Sequence, residues 1–109
     1  MTRKGAMLPA HWLQILLALA AGDLHGLAIM NEVLKQTGGR MRLWPAMLYR
    51  NLHRLTEEGL MAEVPARQPA AGSPRYFRIT AAGRRACAAE VRRLDEIVRT
   101  ARAKRLFRT

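Results

Sequence analysis

The feature that most constrains this chain is its C-terminal stretch, residues 81–107, which contains no proline and a single glycine, Gly83. Such a stretch predicts one continuous helix, which at ~1.5 Å per residue is about 40 Å long. Its apolar residues recur at intervals of four, three, four and three, and this spacing is typical of a helix that packs lengthwise against another helix. We call these residues the seam: Cys87, Val91, Leu94, Val98 and Ala101.

The seam is longer than one small domain can cover. The chain has 109 residues, enough for one domain with a modest core. A second copy of the chain is the usual way to bury such a surface, so we predict a homodimer whose interface contains the seam. We expect Trp12 on the first helix to join this interface; core packing and an effector pocket are the alternatives for its side chain. The alternative for the long helix is that it folds back on its own core.

The rest of the chain reads as three helices and a hairpin. Helices are predicted from Pro9 to Gly22, from a start within Asp23–Gly26 to Gln36, and over residues 45–58, where leucines share one face. A short extended piece is expected at 40–44. Strands at 60–64 and 75–79 flank a proline-rich loop, and Thr80 is a suitable N-cap for the long helix. The predicted fold class is mainly α with a small β-hairpin, a winged helix-turn-helix followed by a long C-terminal dimerisation helix. We place the DNA-binding domain at 8–80 and the dimerisation helix at 81–107.

Charge and composition narrow the classes of protein to which this chain can belong. The net charge is +11, from 19 basic and 8 acidic residues, which favours phosphate backbones, although anionic membranes and acidic partners fit the same sign. The longest apolar run, residues 15–21, is far shorter than the roughly 20 residues a bilayer requires. One cysteine, Cys87, excludes an internal disulfide and fits the cytoplasm; on the seam it is expected to be an apolar filler rather than a redox switch. We predict no metal site, cofactor, membrane partner or enzymatic activity, because no such motif is present.

The third helix carries the strongest candidate binding face. Opposite its leucines lie Tyr49, Arg50, His53 and Arg54, and in a winged helix-turn-helix this helix enters the major groove of double-stranded DNA. Arginine pairs with guanine or phosphate, and tyrosine binds phosphate. A solvated polar face is the alternative, and Tyr49 alone could hold the helix against the wing. Other basic residues near the predicted wing and turn are further candidates for DNA contact. A wing arginine typically enters the minor groove or holds the flanking backbone, and cations beside the turn can hold phosphates; a solvated, solubilising surface is the alternative. These candidates are Arg67, Arg75, Arg78, Lys35 and Arg42.

Three segments together resemble the PadR family of bacterial transcriptional regulators. They are LHGLAI at 24–29, LYRNLHRLTEEGL at 48–60 and YFRITAAG at 76–83. The resemblance implies a winged helix-turn-helix, a homodimer joined through the C-terminal helix, and a palindromic operator. Many members are repressors that a small molecule releases; the sequence leaves open whether this chain has such an effector. The chain has Ala46 and Met47 where the family commonly has a glycine–threonine pair, and Trp44 where a small polar residue is common.

The predicted function is a sequence-specific, homodimeric DNA-binding regulator that acts as a repressor. The alternative is a module that binds nucleic acid without reading its sequence, or that binds another protein.

Overall fold

The computed structural model describes residues 7–65 and 72–107. Within these residues the fold is a winged helix with four helices and a three-stranded antiparallel sheet. The predicted winged helix with a long C-terminal helix is therefore confirmed, while the dimerisation role of that helix stays a prediction. In chain order the elements are α1 (Ala10–Leu19), β1 (Leu24–His25), α2 (Gly26–Gln36), α3 (Pro45–Glu57), β2 (Met61–Val64), β3 (Tyr76–Ile79) and α4 (Ala81–Ala103).

The sheet differs from the predicted hairpin by one strand. β2 and β3 pair as expected, but β1 adds a third strand in the order β1-β3-β2, with Leu24 opposite Phe77 and His25 opposite Tyr76. The prediction of the short extended piece at 40–44 as a strand is wrong, because that segment pairs with no strand among the described residues. Its Leu43 is instead fully buried in the core, so tertiary packing rather than a hydrogen-bonded ladder holds it.

α1 is the centre of the core. It contacts α2, α3, α4 and β3, and its Ile15 and Leu16 are completely buried. The leucine stripe of α3 is buried as predicted: Leu48, Leu52 and Leu55 are at most 2% exposed. Because each of these side chains contributes roughly 1.5–3 kcal/mol when fully buried, the stripe fixes which face of α3 is turned to solvent.

Glycines end two of the helices. After α3, Gly59 adopts a φ of +76°, and its N–H donates to the carbonyl of Thr56 while that of Leu60 donates to Leu55. The same pattern closes α2 at Gly38 and Gly39. In this arrangement a left-handed residue satisfies the last carbonyls of the helix.

α4 is shorter than the predicted helix. It ends at Ala103, and Arg105 takes a φ of +58°, with its N–H donating to Arg102 and that of Leu106 to Ala101. The chain thus closes α4 with the same motif, although an arginine occupies the left-handed position. Sequence periodicity did not reveal this end because neither glycine nor proline marks it.

The start of α4 is fixed to the turn between α3 and β2. Thr80 is the N-cap, as predicted, because its Oγ1 accepts from the Gly83 N–H (3.0 Å) and donates to the Gly59 carbonyl (2.6 Å). Gly83 is buried so closely that a Cβ atom there would overlap the backbone carbonyl of Leu60. This contact sets the direction in which α4 leaves the winged domain.

Candidate nucleic-acid interface

The outer face of α3 is exposed along its length. Tyr49, Arg50, His53 and Arg54 are all solvent-accessible, because helical spacing places them opposite the buried leucine stripe. The His53 Nε2 atom lies 3.6 Å from the Glu57 carboxylate, one turn further along. Within residues 7–65 and 72–107, neither Arg50 nor Arg54 forms an ion pair. The structure therefore brings four of the predicted residues together on one surface.

Tyr49 joins α3 to the start of α2. Its ring is 45% exposed, and its hydroxyl packs so closely on Gly26 that a Cβ atom there would overlap it. The same residue lies near enough to Arg75 to contribute to raising the pKa of that guanidinium, after the larger effect of the Glu63 hydrogen bond. Tyr49 thus joins α3 to α2 and still presents an edge to solvent.

The two described wing arginines are paired with carboxylates. Arg75 Nη2 donates to Glu63 Oε1 at 2.7 Å, and Arg78 donates to both oxygens of Asp23 at 3.1 and 2.9 Å. These hydrogen bonds lower the pKa of Asp23 and of Glu63 below their ordinary values. Arg67, also predicted to contact DNA, lies outside the described residues. Sequence reasoning missed both acidic partners.

The Asp23 pairing follows from the strand that the sequence did not reveal. β1 pairs Leu24 with Phe77, so the antiparallel register carries Asp23 opposite Arg78. Because β1 is only two residues long, it leaves no alternating pattern to detect.

The approach to α3 carries two further predicted cations. Lys35 is exposed in the last turn of α2, and the Arg42 guanidinium lies 5.5 Å from the centre of the Trp44 ring. Trp44 is 63% exposed at the N-cap of α3. Its exposure was not predicted, because tryptophan is usually at least half-buried.

His25 has a structural role. Its Nδ1 accepts the Ala28 N–H at 3.2 Å and so caps α2.

The seam divides into a buried and an exposed part. Cys87 is 7% exposed and burial raises the pKa of its thiol, which fits an apolar filler. Val91, Leu94 and Val98 are 37–45% exposed, and Ala101 is half-buried. Between α1 and the first half of α4 lies an open apolar groove of about 450 Å³ whose lining includes Leu17, Cys87 and Val91.

Trp12 is packed within its own chain. It is 6% exposed, and its Nε1–H donates to Asn51 Oδ1 of α3 at 3.0 Å. Little of its surface is left for a second subunit or a ligand. It contributes to the position of α3 by joining that helix to α1.

Two negative findings apply to the described residues. No group of histidine, cysteine, aspartate and glutamate side chains there could hold a metal ion. No helix among them is long and apolar enough to cross a membrane.

Residues 15–89 of the sequence match the transcriptional regulator PadR-like family. The chain belongs to this family. The match begins within α1 and ends in the first part of α4, so it includes α2, α3 and all three strands of this PadR-like protein. Curated proteins give no match to the sequence.

Solved structures show the same fold. A transcriptional regulator from Clostridium thermocellum is 21% identical, with a TM-score of 0.65 over 90% of this chain and 92% of that one. A PadR-like transcription factor from Bacteroides fragilis is 22% identical, with a TM-score of 0.71 over 85% and 87%. Bacillus subtilis PadR in complex with operator DNA is 20% identical, with a TM-score of 0.67 over 77% of this chain and 47% of that one.

Proposed function

We propose that this PadR-like protein is a homodimeric repressor that binds a palindromic operator through α3. The observation that carries the proposal is the outer face of α3, where Tyr49, Arg50, His53 and Arg54 are exposed while the leucine stripe is buried. The solved complex of Bacillus subtilis PadR with operator DNA supports the same use of this fold. In this proposal residues 8–80 form the DNA-binding domain and 81–107 the dimerisation helix.

The ion pairs of this surface indicate which of its cations are free to bind DNA. Arg75 and Arg78 would have to exchange a carboxylate for a phosphate, because each is already paired. Arg50 and Arg54 have no such partner within the described residues. We therefore assign the main base or phosphate contacts to Arg50 and Arg54, and assign to Lys35 and Arg42 supporting contacts with the flanking backbone.

The exposed part of the seam supports the homodimer. Val91, Leu94 and Val98 lie on one stripe of α4, and the same stripe on a second copy would cover them. A two-fold dimer of this motif is expected to bind half-sites about one turn of DNA, roughly 34 Å, apart. A small-molecule effector, implied by the resemblance to the family, has no assigned site.

The proposal is tested by selecting genomic fragments of the source organism with the purified protein. We expect an enriched palindromic sequence, bound far more tightly than scrambled duplex of the same length. Arg50→Ala and Arg54→Ala should each weaken this binding, and loss of a phosphate contact should reduce the salt slope by about 1. Arg85→Ala, which removes one exposed charge from α4, is the matched control.

Two outcomes would contradict the proposal. Equal affinity for selected and scrambled duplex would favour the alternative, a module that binds nucleic acid without reading sequence. A monomer mass in light scattering at micromolar concentration would contradict the homodimer independently of DNA binding.

A further inference from the structure

An exposed tryptophan stands at the entrance of α3. Trp44 is the N-cap of this helix, its side chain makes no capping hydrogen bond, and it is 63% exposed. Serine, threonine, aspartate and asparagine are preferred at an N-cap because their oxygens accept a backbone N–H. Tryptophan cannot do so. The residue therefore costs local helix stability without gaining burial, which is the pattern of a side chain kept for function.

The direction of Trp44 is fixed by its neighbours. Leu43 before it and Leu48 in the first turn of α3 are both completely buried, at the positions where two apolar residues fix the entry of a chain into a helix. Trp44 itself has extended backbone, with φ −77° and ψ 152°, and Pro45 follows at the first helical position. Since successive side chains in extended backbone point in opposite directions, the burial of Leu43 turns Trp44 outward.

The start of α3 is apolar as well as exposed. Ala46 is exposed and Met47 half-buried, so neither adds a side-chain hydrogen-bond donor beside Trp44. The N-terminal residues of a recognition helix are those that meet base edges in the major groove. The apolar feature in that groove is the C5-methyl group of thymine, which aliphatic and aromatic side chains contact.

One guanidinium adjoins the ring, and two more lie further along α3. The Arg42 guanidinium lies 5.5 Å from its centre, and Arg50 and Arg54 are exposed further along the helix. An apolar surface bordered by cations complements a thymine methyl group bordered by phosphates. It does not complement an apolar protein surface, because burying those cations there would leave them unpaired.

We propose that Trp44 reads thymine in the operator by covering its C5-methyl group. This inference rests on the proposed function, because it requires α3 to lie in the major groove. It assigns specificity to an apolar contact that complements the hydrogen bonds of the arginine side chains.

The test replaces thymine by uracil, which differs only by that methyl group, at each position of the selected duplex in turn. Wild-type protein should bind about fourfold more weakly when a contacted methyl is removed, which is the factor that follows from ~0.8 kcal/mol per buried carbon. In Trp44→Ser and Trp44→Ala the thymine and uracil duplexes should bind equally at those positions. Trp44→Phe, which keeps an apolar ring, should retain part of the difference.

Stability measurements separate this role from a structural one. Trp44→Ser introduces a preferred N-cap residue, so its melting temperature should equal or exceed that of wild type while its thymine preference is lost. A uracil scan that is flat for wild type, or one unchanged in Trp44→Ser, would overturn the inference. If either result were found while wild type still bound the selected duplex more tightly than scrambled DNA, the thymine inference would fail and the proposed function would stand. Absence of any preferred duplex would instead refute the proposed function.

Discussion

Gly83→Ala is expected to destabilise this protein, although it adds only one methyl group. In a free helix the change would stabilise by about 1 kcal/mol. Here the new Cβ would overlap the Leu60 carbonyl oxygen and press on Ile79. Overpacking of this kind costs about 1–3 kcal/mol. The displacement of α4 also strains the hydrogen bonds from Thr80 to the carbonyls of Leu60 (3.2 Å) and Gly59 (2.6 Å), at about 1 kcal/mol each.

The sum is a net loss of about 2–4 kcal/mol in the free energy of unfolding. Urea denaturation at one fixed chain concentration measures it, and the midpoint should fall by about 1–3 M. Gly22→Ala is the matched control, because nothing lies within 4 Å of its Cβ position; its midpoint should stay close to that of wild type. A Gly83→Ala midpoint equal to or above wild type would refute the claim that α4 is closely packed on the α3–β2 turn.

Three further predictions concern α4. The Glu90 carboxylate is buried and accepts from Arg93 at 2.6 and 3.1 Å. The Arg93 hydrogen bond lowers the pKa of Glu90 below its ordinary 4.5, so the pair stabilises the fold above that pH and the contribution is lost as pH falls through the lowered pKa. Urea midpoints of wild type and Glu90→Gln should therefore converge on acidification; a constant difference would contradict this. Arg105→Gly should raise the melting temperature by relieving a left-handed φ of +58°, which costs about 1–2 kcal/mol for an L-residue; a decrease would show that the arginine side chain outweighs its backbone. Leu94→Asp should yield a monomer in sedimentation whereas Leu106→Asp, at a 78% exposed site, should not; a Leu94→Asp dimer would place the interface elsewhere.

Much of the fold could be predicted because its signals are local. The leucines of α3 recur at helical spacing, Gly59 ends that helix, and Thr80 begins α4. Each of these depends on residues within a turn or two of one another, so a single sequence contains the full cause. The match of residues 15–89 to the family agrees with the resemblance that the sequence motifs indicate.

Other features depend on residues far apart in the chain. β1 exists because Leu24 and His25 meet β3, more than fifty residues later. That pairing supplies Asp23 to Arg78, and β2 supplies Glu63 to Arg75. The sequence indicates that the wing is basic, but only the assembled sheet decides that its described arginines already hold carboxylates.

The sequence by itself determined that this chain forms helices with a leucine stripe, a strongly basic surface and a long apolar seam. Tertiary structure decided which side chains of that surface are buried, which are exposed and which are paired. It buried Leu43 and thereby turned Trp44 outward, packed Trp12 between α1 and α3, and left Arg50 and Arg54 without partners within the described residues. The physical reason is that helical periodicity is a property of neighbouring residues, whereas burial and ion pairing depend on which distant surfaces meet.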